Sequence, residues 1–158
     1  MVEAGKKAPS FKAKDQNGNT ISLSDFKGKK IVLFFYPEDD TPTCTLEVCN
    51  LRDNYSLLTS KGYVVVGVSP DDVKSHKRFE NKFHLPFALL ADPERKIIDA
   101  YGSWGQKQMF GNNYMGVIRQ TFVIDEKGRI EKIFRKVLSK NHAQQILAES
   151  NGNNLAEE

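Results

Sequence analysis

The sequence predicts an α/β sandwich, with a central mixed β-sheet flanked by helices and a β-hairpin at the N-terminus. Two continuous runs of β-branched and aromatic residues, "IVLFFY" (31–36) and "YVVVGV" (63–68), have the composition of strands covered on both faces. The segment between them repeats apolar residues at helical spacing, as a connection between parallel strands requires. Paired short strands around turn sequences near both ends add antiparallel partners and make the sheet mixed.

Taken in order, residues Phe11 to Lys14 and Thr20 to Leu23 flank "DQNGN", where Asn17-Gly18 predicts a tight turn with two positive-φ residues. The strand Ile31 to Tyr36 follows, central in the sheet. Cys44 to Ser60 is expected to be one helix, with Leu46, Leu51, Tyr55 and Leu58 on its buried face and Gly62 just past its end. After the strand Tyr63 to Val68, a helix spans Asp71 to Phe83, with Ser69 as candidate N-cap and Pro70 near its first turn. A strand at Phe87 to Leu90 and a short helix at Glu94 to Tyr101 come next. Gly102 to Gly116 mixes four glycines and two asparagines with Trp104, Met109, Phe110, Tyr114 and Met115. It reads as a loop, either a lid over the core edge or a substrate or partner surface. Val117 to Ile124 and Arg129 to Arg135 bracket the turn "DEKG" as a hairpin, and Asn141 to Glu149 closes the fold as a helix. Residues 1–150 are expected to form a single domain, and the polar 151–158 tail is expected to fray.

Of 158 residues, 39% are hydrophobic and 27% charged, without an apolar run of membrane length, so no span is expected. The 23 basic and 20 acidic residues are interspersed, and a net charge of +3 argues against a nucleic-acid or anionic-membrane surface. "MVEAGKK" lacks the apolar core of a secretory signal, so the expected address is cytoplasmic unless a targeting segment was removed.

Chemistry gathers in "FFYPEDDTPTCTLEVCN", which holds both cysteines of the chain, Cys44 and Cys49. Thr41 and Pro42 suit the N-cap and first position of a helix, which places Cys44 in its first turn. There the helix dipole and unpaired N–H groups favour a thiolate. Ionisation alone is a small effect: a thiol with pKa near 8.5 is about 3% ionised at pH 7, and one lowered to about 6 is about 90% ionised, roughly a 30-fold gain. Donors aimed at the group under attack must supply more. Cys49 lies five residues on, where Cα atoms of an ideal helix stand roughly 8.6 Å apart. A disulfide tolerates about 7 Å, so in a continuous helix the pair is apart when reduced and joins only after local unwinding. Such spacing suits the sequence thiolate, sulfenic acid, disulfide.

Pro37, Thr41 and Cys44 form P-x3-T-x2-C, which resembles the peroxidatic-cysteine signature of peroxiredoxins. With a second cysteine five residues on, "TPTCTLEVC" is similar to the Q type, the bacterioferritin comigratory protein subfamily. "GKKAPSFKAKDQNGNTISLSDFKGKKIVLFFYP" and "YMGVIRQTFVIDEKGRI" extend the likeness across nearly the whole chain. The resemblance implies a thioredoxin-like fold and reduction of hydrogen peroxide and organic hydroperoxides, with no cofactor and no metal. By position it makes Cys44 the peroxidatic cysteine and Cys49 the resolving one, joined as an intramolecular disulfide. Thr41 then hydrogen-bonds the peroxide, Arg119 holds the thiolate and polarises the peroxide, and Pro37 shields the site from bulk water. Glu47 matches the acid that pairs with the arginine; unpaired, it would oppose thiolate formation. The implied reductant is thioredoxin or a similar dithiol, and many Q-type members are monomeric. One departure stands out: Thr43 occupies the position before the peroxidatic cysteine, usually glycine in the subfamily.

Arg119 also stands out without the resemblance, because an arginine within an apolar strand is costly unless paired; the other reading is an exposed edge-strand face. Competing functions fit less well. A thioredoxin-type disulfide carrier calls for C-x-x-C at the helix start. Zinc needs three or four ligands, and His76, His84 and His142 are scattered, without ligand spacing to either cysteine. A Cys-His hydrolase lacks a recognisable histidine motif, and no G-x-G-x-x-G supports a dinucleotide site. A non-catalytic thioredoxin-fold binding module with inert cysteines remains the alternative of a different class.

Overall fold

The computed structural model describes residues 2–150, apart from the side chains of Glu149 and Ser150. The expectation for 151–158 lies outside the described residues. Strands are β1 (Lys12–Lys14), β2 (Thr20–Ser22), β3 (Lys30–Phe35), β4 (Tyr63–Ser69), β5 (Ala88–Ala91), β6 (Trp104–Met109), β7 (Asn112–Val117), β8 (Gln120–Ile124) and β9 (Ile130–Phe134). Helices are α1 (Pro42–Asp53), α2 (Tyr55–Ser60), α3 (Val73–Phe83), α4 (Lys96–Ala100) and α5 (His142–Ser150).

Among the described residues, five strands form the central sheet in the order β5-β4-β3-β8-β9. The β3/β4 and β4/β5 pairs are parallel, and β8 and β9 add antiparallel to the other side of β3. The sheet is therefore mixed and the apolar run of β3 is central, as its composition requires. Its side chains alternate between two cores. Val32 and Phe34 pack with Cys44, Val48, Leu51 and Phe79 on one face, while Ile31, Leu33 and Phe35 pack with Ile98, Tyr101 and Phe122 on the other. Gly67 faces Phe34 across the β3/β4 pair, where an added Cβ would stand 2.7 Å from the Phe34 ring. Only glycine leaves room for that ring.

Several local expectations are corrected. The first turn is not a two-residue turn: Gly18 alone has positive φ, and the Asp15 carboxylate organises the loop by accepting the N–H groups of Asn17 and Asn19. Cys44 to Ser60 is interrupted at Asn54, whose side chain donates to the Asn50 carbonyl at 2.8 Å. That bond satisfies an end carbonyl and marks the close of α1. Leu46 is 44% exposed rather than on the buried face. The cap of α3 is Asp72, which accepts from Ser75 N–H, because Ser69 ends β4 and donates instead to Asp71. The closing helix starts at His142, after a 3₁₀ turn at Ser139–Asn141.

Gly102 to Gly116 is not a loop but the β6/β7 ribbon, closed by a tight turn at Phe110-Gly111 with φ of 52° and 80°. Met109, Tyr114 and Met115 are exposed and Phe110 is 95% exposed, so the tip of the ribbon leaves the core, while Trp104 at its base packs against it. The expected strand Val117 to Ile124 is likewise split. β7 pairs with β6 and β8 with β3, so the chain turns between two sheets at Ile118 and Arg119. No described helix is long and apolar enough to cross a membrane.

Candidate active site

The site sits where β3 hands over to α1. Thr41 has the extended backbone of an N-cap and Pro42 opens the helix, which puts Cys44 in the first turn. The expected side-chain cap is absent. The Thr41 hydroxyl donates to the Glu38 carbonyl at 2.9 Å and does not take up the first-turn N–H groups. Those donors stay directed at whatever lies ahead of the helix. Pro37, half-buried, stands two residues past the end of β3.

Arg119 joins this turn from across the sheet. Phe35, the last residue of β3, pairs with Gln120, so Arg119 lies one residue beyond the register, beside the start of α1. Its Nη2 donates to Cys44 Sγ at 3.2 Å and its Nη1 to Glu47 Oε1 at 2.6 Å. The expectation of a strand arginine is corrected: it sits in the turn between sheets, paired rather than on an exposed face. Cys44 is 1% exposed and Glu47 fully buried. The other carboxylate oxygen, Oε2, has no hydrogen-bond partner among the described residues. Burial pushes Glu47 up to about 7, against the downward pull of Arg119. A cation donating to sulfur favours negative charge there, and the neighbouring acid orients that cation.

Cys49 is partly buried on the same continuous helix, and both cysteines are free thiols. Burial pushes the Cys49 thiol up, only partly offset by Arg52, so it holds its proton while Cys44 faces the guanidinium. Their five-residue separation on an unbroken helix keeps them beyond disulfide reach until α1 unwinds.

Sequence reasoning missed several neighbours. The Lys107 ammonium, on β6, interacts electrostatically with Arg119 and Cys44; burial lowers its pKa first and Arg119 adds to that. The ribbon thus carries a charge that the thiol site feels. His142 is buried, with Nε2 against the Thr121 hydroxyl at 2.7 Å and Nδ1 against Gln145 Oε1 at 2.9 Å. Burial above all lowers it to about 4. Of the three histidines, His76 lies with Asp39 and Asp71, each offering one donor atom within 4.8 Å of the others. Hydrogen bonds within and around that group already engage both nitrogens of His76 and both oxygens of Asp39. The "EDD" loop carried the one available signal, an acidic run beside the cysteine turn.

The sequence pattern of the AhpC/TSA family matches residues 4–133. Peroxiredoxin Bcp of Bacillus subtilis (strain 168) is 47% identical over 146 residues, covering 92% of this chain and 93% of its own. Peroxiredoxin Bcp of Escherichia coli (strain K12) is 38% identical over 146 residues, covering 92% and 94%. Among solved structures, a Xanthomonas campestris bacterioferritin comigratory protein studied for alkyl peroxide reduction superposes with a TM-score of 0.86. It is 28% identical and covers 95% of this chain and 98% of that one. A thiol in a helix first turn, faced by an arginine from the turn between the two sheets, thus stands in a chain with peroxiredoxins as near full-length relatives: it belongs to the AhpC/TSA family, as a peroxiredoxin of the Q type.

Proposed function

We propose that Cys44 is the peroxidatic cysteine and Cys49 the resolving one. The observation that carries this reading is the 3.2 Å donation from Arg119 to Cys44 Sγ, with Glu47 holding the same guanidinium at 2.6 Å. The thiolate sulfur attacks one oxygen of hydrogen peroxide or an organic hydroperoxide and the O–O bond breaks. The other oxygen leaves as water or alcohol, taking a proton from solvent to replace the one lost by the thiol, and Cys44 is oxidised by two electrons to sulfenic acid. Arg119 and the first-turn N–H groups stabilise charge developing on the peroxide oxygens. Thr41, its proton given to Glu38, has lone pairs left to accept from the peroxide O–H. Pro37 screens the turn from bulk water.

After α1 unwinds, the Cys49 sulfur displaces hydroxide from the sulfenic acid. The Cys49 proton leaves with it as water, and the Cys44–Cys49 disulfide forms. Thioredoxin or a similar dithiol returns two electrons and two protons. The protein acts as a monomer in the cytoplasm, and the inert binding module is the reading it displaces. Stopped-flow Trp104 fluorescence of the reduced protein at pH 7 tests this. A second-order constant of about 10⁴ M⁻¹s⁻¹ or more is expected, within the enzymatic range, and it should vanish in Cys44→Ser. A rate no faster than that of a free thiol would return Cys44 to the binding-module reading.

A further inference from the structure

The loop that delivers Cys44 is fastened at one point, Asp39. Its buried carboxylate meets three side chains: the Tyr36 hydroxyl donates at 2.6 Å to Oδ1, and Ser75 Oγ and His76 Nδ1 of α3 both stand 2.7 Å from Oδ2. Its backbone N–H donates to Asp71 Oδ2 at 2.8 Å, an oxygen that also accepts from Ser69. The next residue, Asp40, is held in the left-handed region at φ 58° and takes Lys82 of α3 at 2.8 Å. Then comes Thr41, and α1 begins.

The two buried histidines are wired differently. His142 faces one hydroxyl and one amide oxygen, so a neutral ring satisfies it by accepting from Thr121 and donating to Gln145. His76 faces acceptors on both sides, the Asp39 carboxylate and the Leu90 carbonyl at 3.0 Å. The Leu90 carbonyl only accepts, so Nε2 carries a proton, and a proton on Nδ1 as well would let the ring donate to Asp39 as Tyr36 and Ser75 do. Burial and Asp39 push the Tyr36 phenol well above its ordinary value, so it remains a donor.

We infer that Asp39 is a positioning residue, whose carboxylate, gripped by Tyr36, Ser75 and a doubly protonated His76, fixes the backbone ahead of α1 and stops its unwinding at Asp40. This rests on the assignment of Cys44 and Cys49 above. The hinge lets the first turn open for the disulfide and return Cys44 and Thr41 to the same place each cycle.

The test uses the full chain labelled with ¹⁵N-histidine, with Asp39→Asn and Tyr36→Phe as variants. Asp39→Asn keeps the side-chain size but replaces one acceptor oxygen with an N–H₂ group that faces donors. At pH 7 the reduced wild type should show both ring N–H protons of His76 and one of His142. Asp39→Asn should lose the Nδ1 proton and consume peroxide about tenfold or more slowly, as expected when a reacting atom is misplaced. It should also shift the pH profile of Cys44 alkylation by iodoacetamide. On oxidation of the wild type, the Asp39 amide should keep its hydrogen-exchange protection while amides 45–48 lose theirs. Should Asp39→Asn not fold, Tyr36→Phe, which keeps the charge pair, should still slow the reaction about threefold, a smaller misplacement of the same kind. A singly protonated His76, an Asp39 amide that exchanges with the rest of α1, or a folded Asp39→Asn with wild-type rate and alkylation profile overturns the inference. A wild type that consumes no peroxide overturns the assignment of Cys44 instead, and the ring protons and alkylation profile then decide the role of Asp39.

Discussion

The side-chain oxygen of Asn50 accepts the backbone N–H of Ala143 at 2.7 Å, so the residue next to Cys49 caps the first turn of α5 from a neighbouring helix. Its amide also donates to Gln144 at 3.0 Å. Two residues on, Arg52 donates to the Phe83 carbonyl at the end of α3 at 2.8 Å. The second half of α1 is thus tied to two other helices, while its first half is held by Arg119. Bringing the cysteines together must strain or break one set of ties.

Asn50→Ala removes the cap from α5 and should cost about 0.5–2 kcal/mol of unfolding free energy, the usual range for a lost cap. It should also hasten disulfide closure once sulfenic acid has formed. Urea unfolding checks the first effect and rapid-quench alkylation with intact mass the second. Unchanged stability would mean that the interface holds α5 without the cap.

Arg119→Lys tests the guanidinium as a fork. One ammonium cannot donate in parallel to Cys44 and to Glu47 with the planar geometry seen here. Loss of an aligned donor at a developing charge costs about 10²–10³-fold in rate, and that drop is expected in the peroxide constant. A rate within about threefold of wild type, far short of that loss, would remove Arg119 from the chemistry.

The central strand, the parallel pair and the cysteine helix were legible because composition and period dictate them locally. Arg119 was legible as a charge that needed a partner, although its place between two sheets was not. Turn residues misled where side chains decide: Asp15 rather than Asn17-Gly18 shapes the first hairpin loop, and the tight turn falls at Phe110-Gly111. The grip on Asp39 was invisible because its partners lie up to 37 residues away in sequence. A histidine bonded at that range leaves no spacing pattern.

Thr43 lies at an exposed position in the first turn of an unbroken helix, ahead of Cys44. A β-branched residue is stiffer than glycine and somewhat more favourable in a helix. Unwinding should therefore be slower than with glycine, leaving sulfenic acid open to a second peroxide. Thr43→Gly should be overoxidised less at high peroxide, read as sulfinic acid by intact mass. Equal overoxidation of the two proteins refutes this.

Glu47 and His142 should act oppositely on stability, because the fold shifts them in opposite senses. Glu47 rises from 4.5 to about 7, so the folded state holds its proton more tightly. Its contribution is full below pH 4.5 and is lost as pH rises through about 7. His142 falls from 6.5 to about 4, so the folded state resists its protonation. Its contribution is full above pH 6.5 and is lost as pH falls through about 4. Each proton bound or released on unfolding gives a slope of about 1.4 kcal/mol per pH unit, and between pH 4.5 and 6.5 the two slopes cancel. Glu47→Gln should remove the falling slope, so that its stability relative to wild type climbs with pH across this window. His142→Gln should do the reverse. Urea unfolding at about pH 4.5, 5.5 and 6.5 reads both, and the slopes carry the result whatever each substitution costs in packing. If Glu47→Gln runs parallel to wild type, Glu47 is ionised throughout the window, and Arg119 outweighs the burial of its carboxylate.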